Sequence, residues 1–175
     1  MTQTITSAAT SVNMVPRLFK NINWKPGTYN LDIGGGRFQT GTDYLAGLGV
    51  TNLVYDPYNR SEEHNRKVLL EAILNQDKLS ITMSNVLNVI QDEYARHMTI
   101  ALSWSFFRPV FISVYEGDKS GEGKITSRGW QENRRLTDYR DEVMRFFGTV
   151  EIMKKHGIML LSDNKKPEEV VWLGQ

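Results

Sequence analysis

The 175-residue chain contains no cysteine. That absence removes disulfides, thiolate metal sites and cysteine nucleophiles together. Its three histidines, His64, His97 and His156, are far apart and never adopt the H-x-x-x-H spacing that sets two imidazoles on one helix face. Each reads as a surface or hydrogen-bonded histidine, and no metal site is expected. An excess of one charge is also missing: 21 basic residues face 20 acidic ones for a net +1, so no global field draws the molecule to nucleic acid or membrane. A nucleic-acid partner would need a local patch. No apolar run reaches the ~20 residues that span a bilayer. Residues 1–15 are rich in Thr, Ser and Ala without the charged-then-apolar order of a signal peptide. The expectation is a soluble cytoplasmic protein. No G-x-S-x-G elbow occurs, which removes the commonest serine-hydrolase arrangement.

What is present is the pentapeptide Asp32-Ile33-Gly34-Gly35-Gly36 after an apolar run, with Asp56 ending the next apolar run. An acid, then glycines where backbone approaches a nucleotide-like ligand, then a second acid for ribose hydroxyls, is a cofactor-site pattern. The dinucleotide fingerprint fails, because the third glycine counted from Gly34 and Gly36 falls at Gln39. The Asp32 carboxylate would repel a pyrophosphate and attract an ammonium. Gly36 and Gly41 form a near-miss phosphate loop, but Thr42 and Asp43 stand where lysine and a hydroxyl residue belong. The pattern therefore points to S-adenosylmethionine rather than NAD or a nucleoside triphosphate, the alternative being a plain tight turn.

The elements alternate along one domain of residues 15–175 behind a flexible N-terminal tail of residues 1–14. Residues 15–24 mix apolar and basic side chains ahead of Lys25-Pro26-Gly27 and are placed to cover the site. A strand is predicted over Tyr29–Ile33 and a helix over 40–48, opened by a Thr40-x-x-Asp43 capping box and stopped by Gly49. A second strand follows over 50–55, then a helix capped by Ser61 carrying Val68, Leu69, Ala72 and Ile73. The next strand lies within 79–90. A helix over 91–107 is expected to bury Tyr94, Met98, Ala101, Leu102, Ser105 and Phe106 as core. A strand follows over 109–115, then a glycine-rich loop, a helix over 136–147 closed by Gly148, and a strand pair over 149–153 and 157–161. Such alternation implies an α/β fold, a mostly parallel sheet covered on both faces with ligands at its strand carboxyl ends. Asp32, Asp56, Ser84-Asn85 and Glu116 all fall at such ends.

On these residues the chain, from about residue 29 to 161, resembles the class I S-adenosylmethionine-dependent methyltransferases. Leu31-Asp32-Ile33-Gly34-Gly35-Gly36 is similar to the family's first motif. Val54-Tyr55-Asp56-Pro57-Tyr58 is similar to the second, whose acid binds both ribose hydroxyls, and the segment from Ser84 through Asn85, Val86, Leu87 and Asn88 to Ile90 is similar to the fourth. With Asp56-Pro57-Tyr58-Asn59 and Gly129-Trp130-Gln131-x-Asn133, the chain also resembles small phage and bacterial methyltransferase-like proteins, implying host cytoplasm if phage-encoded. The resemblance implies a Rossmann-like three-layer sandwich, a seven-stranded sheet with an antiparallel last strand. It assigns S-adenosylmethionine to Asp32, Gly34, Gly35, Gly36, Asp56, Pro57, Tyr58, Asn85, Val86 and Leu87. Two departures stand out. Between Asn75 and Leu79 there is no room for the usual third strand and its helix, so an adenine pocket must be built differently or left shallow. The fourth motif also lacks Asp/Asn-Pro-Pro-aromatic, so Val86 and Leu87 supply no platform for a flipped base and amino-DNA methylation is not the default.

Methyl transfer asks the protein to align an acceptor and, where needed, remove its proton. Asn85 is a candidate to orient the acceptor and Glu116 a candidate base if burial raises its pKa. Asn88, Tyr115, Trp130, Gln131, Asn133 and Tyr139 are candidate acceptor contacts, the last four in a mobile segment, 117–139, that orders on engagement. Lys119, Lys124, Arg128, Arg134, Arg135, Arg140 and Arg145 in and after that segment read as a solvated face rather than a polyanion site. Two other functions fit the same residues: a binding protein on this scaffold without catalysis, acting on a partner such as a host protein, and breakdown of S-adenosylmethionine itself. The acceptor is not identified by the residues.

Overall fold

A computed structural model describes residues 8–174. Its framework is a six-stranded sheet of β1 (Tyr29–Ile33), β2 (Thr51–Tyr55), β3 (Leu79–Ser84), β4 (Val110–Ser113), β7 (Phe147–Met153) and β8 (Ile158–Asn164), in the order β2-β1-β3-β4-β8-β7. β1 pairs in parallel with β2 and β3, and β3 with β4, while β8 lies antiparallel between β4 and β7. A separate hairpin, β5 (Lys124–Thr126) and β6 (Gly129–Gln131), occupies the segment expected as mobile loop.

Register explains the layering. Leu31 sits beside Leu53 and Ile81, so these side chains leave the sheet on one face with Met83, Val110, Ile112 and Leu161. There α2 (Glu62–Leu74), α3 (Glu93–Trp104) and α4 (Arg140–Val143) supply Val68, Ala72, Ile100, Trp104 and Val143. Fully burying a Val, Leu, Ile or Met side chain here contributes about 1.5–3 kcal/mol. A second cluster of Leu18, Phe19, Leu45, Val50 and Ile158 joins α1 (Thr40–Gly47) to the chain before β1. Between that cluster and the site lies a polar layer, because Asn30, Asp32, Asn52 and Thr82 alternate with the apolar positions.

One local expectation holds and several change. Ser61 caps α2 by accepting from the His64 amide at 3.2 Å. Thr40 does not cap α1: Gln39 holds that position without a side-chain bond, and the Thr40 hydroxyl instead donates to Asn13. The helix expected over 136–147 shrinks to a 3₁₀ turn, Leu136–Tyr139, and four residues of α4; Phe147 and Gly148 already belong to β7. Pairing with β8 outweighs the helical spacing there. In α3 the buried residues are Arg96, His97, Ile100, Ala101, Ser103 and Trp104, whereas Tyr94, Met98 and Ser105 are exposed. The stripe is therefore rotated from the one read in sequence. It puts His97 in the core against Phe146 and Trp172, where burial lowers its pKa.

Of the expected tail, residues 1–7 lie outside the described residues, and residues 8–14 include a 3₁₀ turn, Ala8–Thr10, and contacts with the glycine turn. No helix among the described residues is long and apolar enough to cross a membrane.

Candidate functional site

After β1 the chain crosses through α1 to β2 on one side, and after β2 it returns through α2 to β3 on the other. The strand order reverses at β1, and the crevice opens at the carboxyl ends there. The Gly34–Gly36 turn fills this point. Gly34 and Gly36 have φ of 75° and 77°, the left-handed region that glycine adopts at least cost. The space is also closed: a Cβ on Gly34 would lie 2.6 Å from Val86 Cγ2, and one on Gly36 2.2 Å from Ser11 Oγ. A Cβ on Gly35 would lie 2.3 Å from Asp32 Oδ2.

Two cavities meet across this turn, and Ser11, Gly34, Gly36 and Asn85 line both. The larger, about 990 Å³, is polar at its floor, with Asp32, Ser84, Asn88 and Gln131. The smaller, about 230 Å³, takes Asp56, Pro57, Tyr58 and Val86 on one side and Met98, Thr99 and Leu102 of α3 on the other. Met98 and Leu102, expected as core of α3, therefore wall a cavity.

Asp32 is buried in the larger cavity's floor. Its Oδ1 accepts from Thr82 Oγ1 at 3.1 Å, and Asn30 Nδ2 donates to Thr82 Oγ1 at 2.9 Å and to Asn52 Oδ1 at 2.8 Å. Burial raises the Asp32 pKa to about 7, with Asp56 adding to the rise, while hydrogen bonds from Thr82 and Asn52 act against it. A cation arriving beside Asp32 would favour its ionised form.

Asp56 is differently placed. Its Oδ1 accepts the Tyr58 and Asn59 amides, each at 2.9 Å. Its Oδ2 accepts the Gly36 amide at 2.9 Å and Asn59 Nδ2 at 3.2 Å. Four donors fill the lone-pair sites of a carboxylate. Asn65 clamps the backbone of the same residue, donating to its carbonyl and accepting from its amide, both at 3.0 Å. Asp56 is thus first the organiser of two loops, and ribose hydroxyls would have to replace donors already in place.

Asn85 stands exposed at the junction of the cavities with φ 58°. Asn88 is buried on the large cavity's wall and donates to Gln131 Oε1 at 3.2 Å. Tyr115, Trp130, Gln131 and Asn133 line the same cavity. Trp130 Nε1 donates to Glu132 at 2.9 Å, and Asn133 Nδ2 donates to the Glu122 carbonyl at 2.8 Å, joining the two flanks of the hairpin.

Three expected site residues fall elsewhere. Glu116 lines neither cavity: its Oε1 accepts the Leu136 amide at 2.8 Å and Oε2 pairs with Lys119 at 3.2 Å. That backbone bond, with Lys119 and Arg135 nearby, lowers its pKa against the effect of burial, the opposite of a poised base. Leu87 is core, fully buried and outside both cavities. Tyr139 is core as well, beneath the Arg134 guanidinium at 4.3 Å, and burial raises its pKa.

The sequence reading missed Asn30, Asn52 and Thr82, which hold Asp32, and Asn65, which holds Asp56. The signal for the first three was period-two alternation of polar residues with Leu31, Leu53 and Ile81. It also missed Ser11, whose Oγ accepts the Arg37 amide at 3.2 Å and covers Gly36. No family profile matches the chain, and no curated protein matches its sequence.

Proposed function

We propose that the protein binds S-adenosylmethionine and transfers its methyl group to an acceptor in the larger cavity. The observation that carries this reading is the pair of cavities joined at the Gly34–Gly36 turn, a small one beside Asp56 lined by Pro57, Tyr58, Val86, Met98 and Leu102, and a large one with the Asp32 carboxylate in its lining. An adenine ring asks for the first and an amino-acid ammonium for the second, and glycine at the junction lets backbone approach the ligand between them. Pro57, Tyr58, Val86, Met98 and Leu102 would hold the base, Asp32 the ammonium, and the glycine turn the middle of the ligand. The class I methyltransferase fold fits the same frame: β8, the last strand, is antiparallel, and β2 ends the sheet where a third strand would pair. When bound, the ligand supplies an electrophilic methyl on sulfonium. The chain's part is to exclude water and align the acceptor, with Asn85 at the junction placed to orient it.

One observation favours a scaffold without catalysis: the Asp56 carboxylate is filled by internal donors and Ser11 covers Gly36. Calorimetric titration with S-adenosylmethionine and with its demethylated product separates the two. Micromolar binding that Asp32→Asn abolishes supports the enzyme reading, and no binding by the wild type rejects it in favour of the scaffold.

A further inference from the structure

We infer that the larger cavity takes an amino-bearing base of a single-stranded nucleic acid, with the Asn88 side-chain oxygen accepting from the exocyclic amine. The inference names the acceptor class for the proposed methyl transfer and rests on that reading for the transfer step alone.

The first observation is an orphaned acceptor whose identity the network dictates. Gln131 Nε2 donates to the Tyr115 carbonyl at 3.1 Å and to the Glu132 carbonyl at 2.6 Å. Carbonyls only accept, so Gln131 must turn Oε1 toward Asn88, and Asn88 must answer with its NH₂. Asn88 Oδ1 is left without a partner among the described residues, on a side chain that is 1% exposed on the cavity wall. A buried unmet acceptor destabilises the free protein, and a ligand N–H relieves it. The relay rejects a ligand carbonyl at this point and selects a donor.

The second observation is charge. Arg17, Lys20 and Arg128 line the cavity, are exposed, and have no ion-pair partner among the described residues. Lys124, also on the lining, pairs with Asp118 at 3.3 Å. Among the described residues the lining carries two carboxylates, Asp118, already paired, and Asp32, whose pKa burial raises. Three cations free of ion pairs thus stand around this opening, a local patch that can meet phosphates in a chain whose net charge is only +1. The third is aromatic surface: Tyr115, 62% exposed, and the half-buried Trp130 border the cavity, where Val86 and Leu87 supply no ring. A base stacked in a duplex cannot reach a buried Asn88, which selects single-stranded or extruded nucleotides.

The test measures anisotropy of short labelled single-stranded oligonucleotides on full-length protein without cofactor, so that failure to bind S-adenosylmethionine and failure of this inference stay distinguishable. Adenine is compared with unsubstituted purine, and cytosine with 2-pyrimidinone, each pair differing by the amine alone. In at least one pair the amine-bearing strand should bind about tenfold tighter. Asn88→Leu should erase that preference. Gln131→Met, with its fold checked by circular dichroism, should reduce it by letting Asn88 rotate. Arg17→Ala with Lys20→Ala should weaken all strands alike and flatten the salt dependence. Equal binding within both pairs overturns the role of Asn88. Salt-independent binding, or free mononucleotides binding as tightly as the strand, overturns the polymer.

Discussion

At the scale of single residues, the two acids that look alike in sequence do opposite things. Asp32 sits in a site that raises its pKa from 3.8 to about 7, so the folded state binds a proton that the unfolded chain has released between those values. Stability therefore falls as pH rises through that window, by roughly 4 kcal/mol in all, and is flat above it. Asp32→Asn removes the ionisation. Thermal melts should show the variant several degrees more stable than wild type at pH 8 and equal to it near pH 4. The same substitution should abolish S-adenosylmethionine binding, and wild-type affinity should strengthen from pH 6 to pH 7.5 as Asp32 ionises. A melting difference that does not change with pH would remove Asp32 from this role. Asp56, by contrast, satisfies three backbone amides. Asp56→Ala is expected to cost about 1–3 kcal/mol in urea denaturation, besides any loss of ligand. Wild-type stability in that variant would mean the loops do not depend on its carboxylate. Gly36→Val meets both the left-handed φ and the Ser11 hydroxyl, so calorimetry should find no cofactor binding while circular dichroism stays near wild type.

At the scale of elements, the hairpin and the N-terminal segment are the parts that can move. β5 and β6 are three residues each, and the Ile125 side chain is exposed. So short a ladder opens at low cost, whereas β3, paired on both sides, does not. Hydrogen exchange should find the hairpin amides fast in the free protein and slowed by the true acceptor. Uniformly slow exchange in the free protein would mean a fixed wall. Residues 8–14 reach the glycine turn through Ser11 and reach α1 through Asn13 and Thr40. Because Ser11 covers Gly36, deleting residues 1–14 should speed S-adenosylmethionine association severalfold in stopped-flow. An unchanged rate would show that ligand enters without displacing the segment.

For the whole molecule, the order β2-β1-β3-β4-β8-β7 makes one crevice of four loops and leaves β2 as an edge. Phe19 ties the chain before β1 into the cluster with Leu18 and Leu45 beneath the cavity. Phe19→Ala should cost about 3–5 kcal/mol by denaturation and loosen the Arg17 and Lys20 side of the opening.

The strands Tyr29–Ile33 and Thr51–Tyr55, the Ser61 cap and the glycine turn were legible in the sequence because each is a local pattern of alternation, capping or left-handed backbone. So was the alternating α/β frame, a sum of such patterns. Glu116, Leu87 and Tyr139 were misplaced because a loop residue's direction depends on partners distant in sequence: Leu136 for Glu116, Arg134 and the core for Tyr139. The filled Asp56 carboxylate, the orientation of Asn88 through Gln131, and the gathering of Arg17, Lys20 and Arg128 belong to the tertiary structure alone. Each joins groups from different segments, and hydrogen-bond polarity and local field depend on their distances in space, not on their spacing along the chain.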